Sequence, residues 1–170
     1  MSEQGDTTTR LLRGAVAGAV AGVAASFLMD RFQAAVSALS SSDDEAEPAT
    51  EQAADAVARA ATGDEVPAPA KPLAGQAIHY ALGTALGVAY GIAAEFRPAV
   101  TTGFGTGFGL GTATLLDEGA VPAVGLGDAP WKADPATTLY AYASHLIFGA
   151  AAELTRRQVA ATLAPKESKP

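Results

Sequence analysis

Apolar and polar positions along this chain lie in long separate blocks rather than interleaved. Four apolar segments stand out, at residues 14–29 (GAVAGAVAGVAASFLM, between Arg13 and Asp30) and at roughly 73–96, 99–116 and 136–154. Each is apolar on all faces, the pattern of a helix that keeps no solvated side. At 1.5 Å per residue they span roughly 24–36 Å, against about 30 Å for a bilayer's hydrocarbon core. Local thinning or flanking residues absorb the mismatch of the shortest. Pro72, Pro98 and Pro135 each stand where a first-turn proline belongs, and Asp134 reads as an N-cap. The pattern predicts an all-α fold: an integral membrane bundle of four glycine-rich transmembrane helices in one domain, 1–170. Residues 1–10 and 158–170 read as polar tails, and 34–71 as an acidic outer loop.

Within that loop, SSSDDEAEP at 40–48 reads as disordered. EQAADAVARAATG then places Ala53, Ala54, Val57, Ala60 and Ala61 on one helical face, with Gly63 as C-cap. This short helix lies on the bundle or the membrane surface, or is a solvated linker. Two alternatives compete with the four-helix reading. The first segment, preceded by Arg10 and Arg13, also resembles a cleaved signal peptide, although Phe27, Leu28 and Met29 prolong it. A soluble bundle rich in Ala and Gly is the other.

Charge sharpens the picture. The formal charge of −7 is concentrated between Asp43 and Glu65. No basic patch exists outside the chain ends, so nucleic acid is not an expected partner; the lipid bilayer is, with a homo-oligomer also open. With an inside N-terminus, inside segments carry seven basic residues: Arg10, Arg13, Arg97, Arg156, Arg157, Lys166 and Lys169. Outside segments carry four, Arg31, Arg59, Lys71 and Lys132. The excess of basic residues inside predicts a multi-pass protein with both termini cytoplasmic.

The chemical inventory is thin. The chain has no Cys and no Asn, which removes disulfides, thiolate chemistry and N-glycosylation, and it has two His. Ser144 adjoins His145, but helix neighbours point about 100° apart, so no nucleophile–base pair follows. No metal-ligand spacing is present. Neither an enzyme nor a cofactor is expected.

An internal repeat is suggested by YGIAAEFR at 90–97 and FGAAAELTR at 148–156, both aromatic-Gly-x-Ala-Ala-Glu-apolar followed by Arg. His79 and His145 lie nearer the start of the same two segments. The first and third segments close on FLMD and LLDE. A helical hairpin duplicated in parallel orientation accounts for this; chance similarity of Ala/Gly-rich helices is the alternative.

Glycine spacing is the sharpest motif: Gly14, Gly18, Gly22; Gly83, Gly87, Gly91; and Gly103, Gly107, Gly111, with Gly149 on the fourth segment. Such glycine zippers predict close helix packing, because in lipid association relies on backbone approach. They also admit a path lined by small residues. His79 shares a face with Gly83, Gly87, Gly91 and Glu95; His145 shares one with Ala141, Gly149 and Glu153. Ionisable groups on packing stripes inside a membrane are candidates for proton or small-solute handling. His145 is expected between helices near mid-membrane, with His79 its first candidate partner and the Asp117/Glu118 pair its second. The structural alternative is a neutral His bonded to a neighbouring helix. Glu95 and Glu153 are explained equally by ion pairs with Arg97 and Arg157. Trp131, Tyr140 and Tyr142 fit an aromatic anchor at the outer boundary.

Taken in order, these features resemble a known family. An HYxxG–YG–AE helix (His79, Tyr80, Gly83, Gly87, Tyr90, Gly91, Glu95) precedes a glycine run closing on LLDE (Asp117, Glu118). A VPAxGL–P–W loop follows (Pro122, Gly125, Leu126, Pro130), then SHxxFGxxxExxRR (Ser144, His145, Gly149, Glu153, Arg157). The series is similar to the YagU-like family of small bacterial and archaeal inner-membrane proteins of unknown function, over roughly residues 12–157. The acidic stretch 40–48 departs from it. The resemblance implies a polytopic membrane protein and supplies no substrate. Transport or ion homeostasis through the His79/His145 region is therefore the expectation, with a non-catalytic membrane scaffold as the alternative.

The orientation has a direct check: a reporter inserted at residue 45 is expected to be accessible from outside, and one after Pro170 only from the cytoplasm. A residue-45 reporter on the cytoplasmic side would reverse the assignment.

Overall fold

The computed structural model describes residues 3–39, 48–126, 131–132 and 134–164. It is all-α, with no strand among the described residues. Helix α1 runs Glu3–Leu39, α2 Ala49–Thr62, α3 Lys71–Phe96, α4 Thr106–Thr112, α5 Val121–Ala123 and α6 Pro135–Thr162. A π-helical segment, Ala113–Ala120, joins α4 to α5.

Two adjacent faces of α1 organise the molecule. Its glycine face meets α3 antiparallel, backbone on backbone. A Cβ added at Gly14 would sit 2.7 Å from the Gly91 carbonyl oxygen, and one at Gly87 would sit 2.7 Å from Gly22 Cα. Gly18 meets the Gly87 carbonyl and Gly22 the Gly83 carbonyl in the same way. Three residues further round, Ala17, Ala21 and Ala25 form a second stripe that is fully buried. Ala21, Ala25 and Met29 pack with Phe148, Ala151 and Ala152 of α6, flanked by Leu86 and Phe108. Small side chains on both faces let α1 sit between two helices at close range.

The third segment departs from expectation. Instead of one helix over 99–116, the chain makes a 3₁₀ turn at Pro98–Thr101. Three successive residues then have positive φ: Gly103 (72°), Phe104 (56°) and Gly105 (80°). Two glycines make that reversal affordable, since only Phe104 incurs the left-handed penalty of about 1–2 kcal/mol. The expected stripe Gly103–Gly107–Gly111 is accordingly not the packing one. A Cβ at Gly111 would meet nothing within 4 Å, and one at Gly107 only the Thr102 carbonyl at 3.7 Å. Gly105 and Gly109 pack instead, against Gly149 and the His145 carbonyl of α6. Beyond Thr112 the helix widens into the π segment. Pro122 has no N–H to return to residue 118, which removes one α-helical bond at its far end.

Two helices, not four, are long and apolar enough to cross a membrane among the described residues: Gln4–Leu39 and Ala68–Phe96. The third segment is broken as above. The fourth carries Thr137, Thr138, Tyr140, Tyr142, Ser144 and His145 in its first three turns. Helix α1 also takes in most of the expected polar tail 1–10 and the start of the loop at 34, while α6 continues to Thr162. The stretch expected to be disordered, 40–48, lies outside the described residues except Pro48.

The interior mixes apolar side chains, Met29, Tyr90 and Phe148 among them, with polar ones. The largest fully buried side chains are Glu153, Ser26 and Ser144. Val16, Val20, Val23, Phe27 and Leu28 of α1 face outward, as do Leu82, Leu115, Leu139 and Leu154.

Helix α2 straps the end of α3. Gly63 closes it at φ 89°, donating its N–H to Arg59 O, as its sequence suggests. The buried side is Ala54 and Asp55, whereas Val57, Ala60 and Ala61 are exposed. Lys71 Nζ lies 2.6 Å from Asp55 Oδ2, and Val66 N–H donates to Oδ1 at 3.0 Å. The hydrogen-bonded Lys71 ammonium holds the Asp55 carboxyl below the usual carboxylate range. Asp134 occupies the N-cap position of α6 but makes no side-chain capping bond. Trp131 is exposed, while Tyr140 stacks on Phe32 with centroids 6.1 Å apart.

The packing assignment separates glycines by contact. Gly87→Leu and Gly109→Leu are expected to destabilise the bundle by roughly 3 kcal/mol or more, because backbone cannot yield as a side chain can. Gly111→Leu should stay within about 0.5 kcal/mol of wild type. Thermal unfolding in detergent reads all three, and equal losses at positions 109 and 111 would refute the assignment.

Candidate functional site

The expected polar residues assemble into two groups at opposite ends of the α1–α3 register. At the first end, Arg13 pairs with Glu95: its Nε donates to Oε1 at 3.0 Å and its Nη2 to Oε2. Arg10 donates to the Glu95 backbone carbonyl and stacks over the Phe96 ring, 4.6 Å from its centroid. Glu95 thus pairs across the helix interface with Arg13 rather than with Arg97.

Glu153, with no exposed surface, is saturated. Arg156 donates to both its oxygens at 2.7 and 2.8 Å. Arg157 Nε donates to Oε1 at 2.5 Å, the i,i+4 pair the sequence suggests. The Tyr90 hydroxyl completes the set by donating to Oε2 at 2.8 Å. Two guanidinium groups and a phenol offset the desolvation of one carboxylate. Tyr90 is held by a stacked contact with Phe108, 4.3 Å between centroids. Its role is not visible in the sequence, because it comes from another helix.

At the other end the two histidines have separate partners. His79 Nε2 lies 3.2 Å from Asp30 Oδ1, without hydrogen-bond alignment. Asp30 Oδ2 accepts from Gln76 Nε2 at 3.0 Å. His145 Nδ1 lies 3.0 Å from the Ala141 carbonyl and 3.2 Å from Asp117 Oδ2. A carbonyl can only accept, so Nδ1 carries the proton. The anticipated His79–His145 pairing does not form: each ring faces an aspartate instead. Asp117, ranked second in the sequence reading, is the partner of His145, and Asp30 was missed because it reads as the boundary charge of the first segment. The expected glycine beside His145 is Gly109, which meets its backbone carbonyl rather than its ring. Glu118 is half-buried beside Asp117 and makes no ion pair or hydrogen bond among the described residues.

The π segment positions Asp117. A π turn inserts an extra residue and re-aims the side chains that follow, which is why such turns concentrate at working sites. Two fully buried hydroxyls adjoin the histidine groups. Among the described residues Ser26 Oγ, one turn before Asp30 and against Gly83, has no hydrogen-bond partner, nor has Ser144 Oγ. Among the described residues no group of three or more His, Cys, Asp or Glu is arranged to hold a metal ion.

Comparison with protein-family models, curated proteins and solved structures finds no match to this chain.

The Glu153 cluster gives a clean stability test. Glu153→Gln keeps the shape but leaves Arg156 and Arg157 uncompensated, at an expected cost of about 3 kcal/mol. Tyr90→Phe removes one bond to a charged acceptor, costing about 1.5 kcal/mol. Thermal unfolding of both variants measures this, and a Glu153→Gln variant as stable as wild type would contradict the cluster's role.

Proposed function

We propose that this chain is a small polytopic protein of a prokaryotic inner membrane, with cytoplasmic termini, whose paired Asp and His side chains move protons or a proton-coupled small solute. Outward-facing apolar side chains support the membrane setting: Val16, Val20, Val23, Phe27 and Leu28 of α1 are exposed, while Glu153, Ser26 and Ser144 are sealed within. Helix α6 packs on α1 and the broken α4–π segment packs on α6, which relieves both of the need to be apolar throughout. The resemblance to the YagU-like family accords with this setting.

The observation that carries the function is the Asp117–His145 pair, 3.2 Å apart, with Asp117 on a π turn. Imidazole is the side chain that exchanges protons near neutral pH, and a facing carboxylate is its natural acceptor. Asp30 and His79 repeat the arrangement: in each hairpin an aspartate of the leading helix faces a histidine of the returning one. Gly14–Gly91 with Glu95, and Gly105–Gly149 with Glu153, repeat at the other end. A duplicated hairpin gives both correspondences one origin.

A second reading, a non-catalytic membrane scaffold, draws on the His145 Nδ1 contact with the Ala141 carbonyl, which anchors the ring to its own helix. Proton flux into vesicles under an imposed pH gradient separates the two. Wild type is expected to conduct, with His145→Leu and Asp117→Asn reducing flux about tenfold or more and His79→Leu less. Wild-type flux no greater than in empty vesicles would leave the scaffold reading.

A further inference from the structure

We propose that the arginine end of the bundle binds the headgroup of an anionic phospholipid, an inference that rests on the membrane reading above. Five arginines belong to this end: Arg10 and Arg13 on α1, Arg156 and Arg157 on α6, and Arg97 just past the end of α3. They face three carboxylates, Glu95, Glu153 and Asp6. The surplus of positive charge has donors to spare. The Arg97 side chain is exposed and has no hydrogen-bond or ion-pair partner among the described residues. Arg157 gives Glu153 only its Nε, so its two terminal nitrogens have no acceptor there. That guanidinium is nevertheless held in place, 4.7 Å above the Phe104 ring, and Arg10 is held likewise over Phe96. Prepositioned guanidinium groups with unused paired donors are the chemistry that recognises a phosphodiester.

The surroundings select a lipid over a free anion. Leu11, Leu12, Phe96, Phe104 and Leu154 are all exposed beside the arginines. A ligand with an anionic head and apolar tails meets both surfaces at once, whereas inorganic phosphate meets only the first. On the inner side of a membrane, anionic headgroups are the counter-charge that basic juxtamembrane residues attract.

The test titrates the full purified chain, in a zwitterionic detergent, with phosphatidylglycerol, phosphatidylcholine or inorganic phosphate, and reads thermal unfolding. Phosphatidylglycerol is expected to raise Tm by about 5 °C at saturation, and phosphatidylcholine to leave it unchanged. Arg97→Gln, which breaks no described contact, should abolish most of the increment without lowering the starting Tm. Arg157→Lys, which keeps the charge but loses the fork, should reduce it. Equal shifts with both lipids, the same shift with inorganic phosphate, or a full shift in Arg97→Gln would each overturn the proposal. A parallel alkaline wash of phosphatidylcholine vesicles carrying the chain tests the membrane reading itself. A chain that washes out removes both ideas, while one that stays yet shows no phosphatidylglycerol preference removes the headgroup site alone.

Discussion

Direct backbone contact between α1 and α3 is the constraint on which the rest of this structure depends. With Gly14, Gly18 and Gly22 against Gly91, Gly87 and Gly83, the two helices have one register available. Shifting it by a residue would drive Val or Ala side chains into backbone. The register then places everything else along the seam. One turn before Gly14, Arg10 reaches the Glu95 carbonyl; beyond Gly22, Ser26 reaches Gly83 and Asp30 comes opposite Gln76 and His79. Polar contacts that look like separate devices are consequences of a single close approach.

Such an approach contributes no large apolar burial, because glycine and alanine have little side chain to bury. It contributes van der Waals contact between main chains, which is effective where the surrounding medium is as apolar as the protein. With these seams filled by glycine and alanine, bulky apolar residues such as Val16, Val20 and Phe27 face outward, while Met29, Tyr90 and Phe148 are buried. Among the described residues Glu153 is the most completely paired polar side chain inside, by Arg156 and Arg157 of its own helix and by Tyr90 across the seam.

Much of this was legible in the sequence, and the gaps have physical causes. The α-class, the extent of the second segment, the start of the fourth, the Gly63 cap and the α1 and α3 glycine stripes follow from period and composition alone. The third segment misled because Gly103, Gly105, Gly107, Gly109 and Gly111 alternate, so two helical stripes fit the same run. Positive φ at Gly103, Phe104 and Gly105 breaks the helix and selects the stripe containing Gly105 and Gly109. Cross-helix partners such as Tyr90 for Glu153, Arg13 for Glu95 and Asp30 for His79 were out of reach. They are separated by tens of residues and set by register, which a single sequence does not encode locally. The alanine stripe of α1 was visible at four-residue spacing but silent, since alanine is unremarkable in a helix until a partner such as Phe148 is seen against it.

The two ends of the bundle differ in kind, and the difference follows from side-chain chemistry. At one end the cations are arginines, which do not release a proton in any physiological range. Their pairs with Glu95 and Glu153 are therefore permanent, and aromatic rings brace two of them, Arg10 and Arg157. At the other end the partners of the carboxylates are imidazoles, His79 facing Asp30 and His145 facing Asp117, each at 3.2 Å. The glycine seams hold the two ends at a set distance. The nearest yielding element is the π segment carrying Asp117, where the helix already departs from its tightest hydrogen bonding.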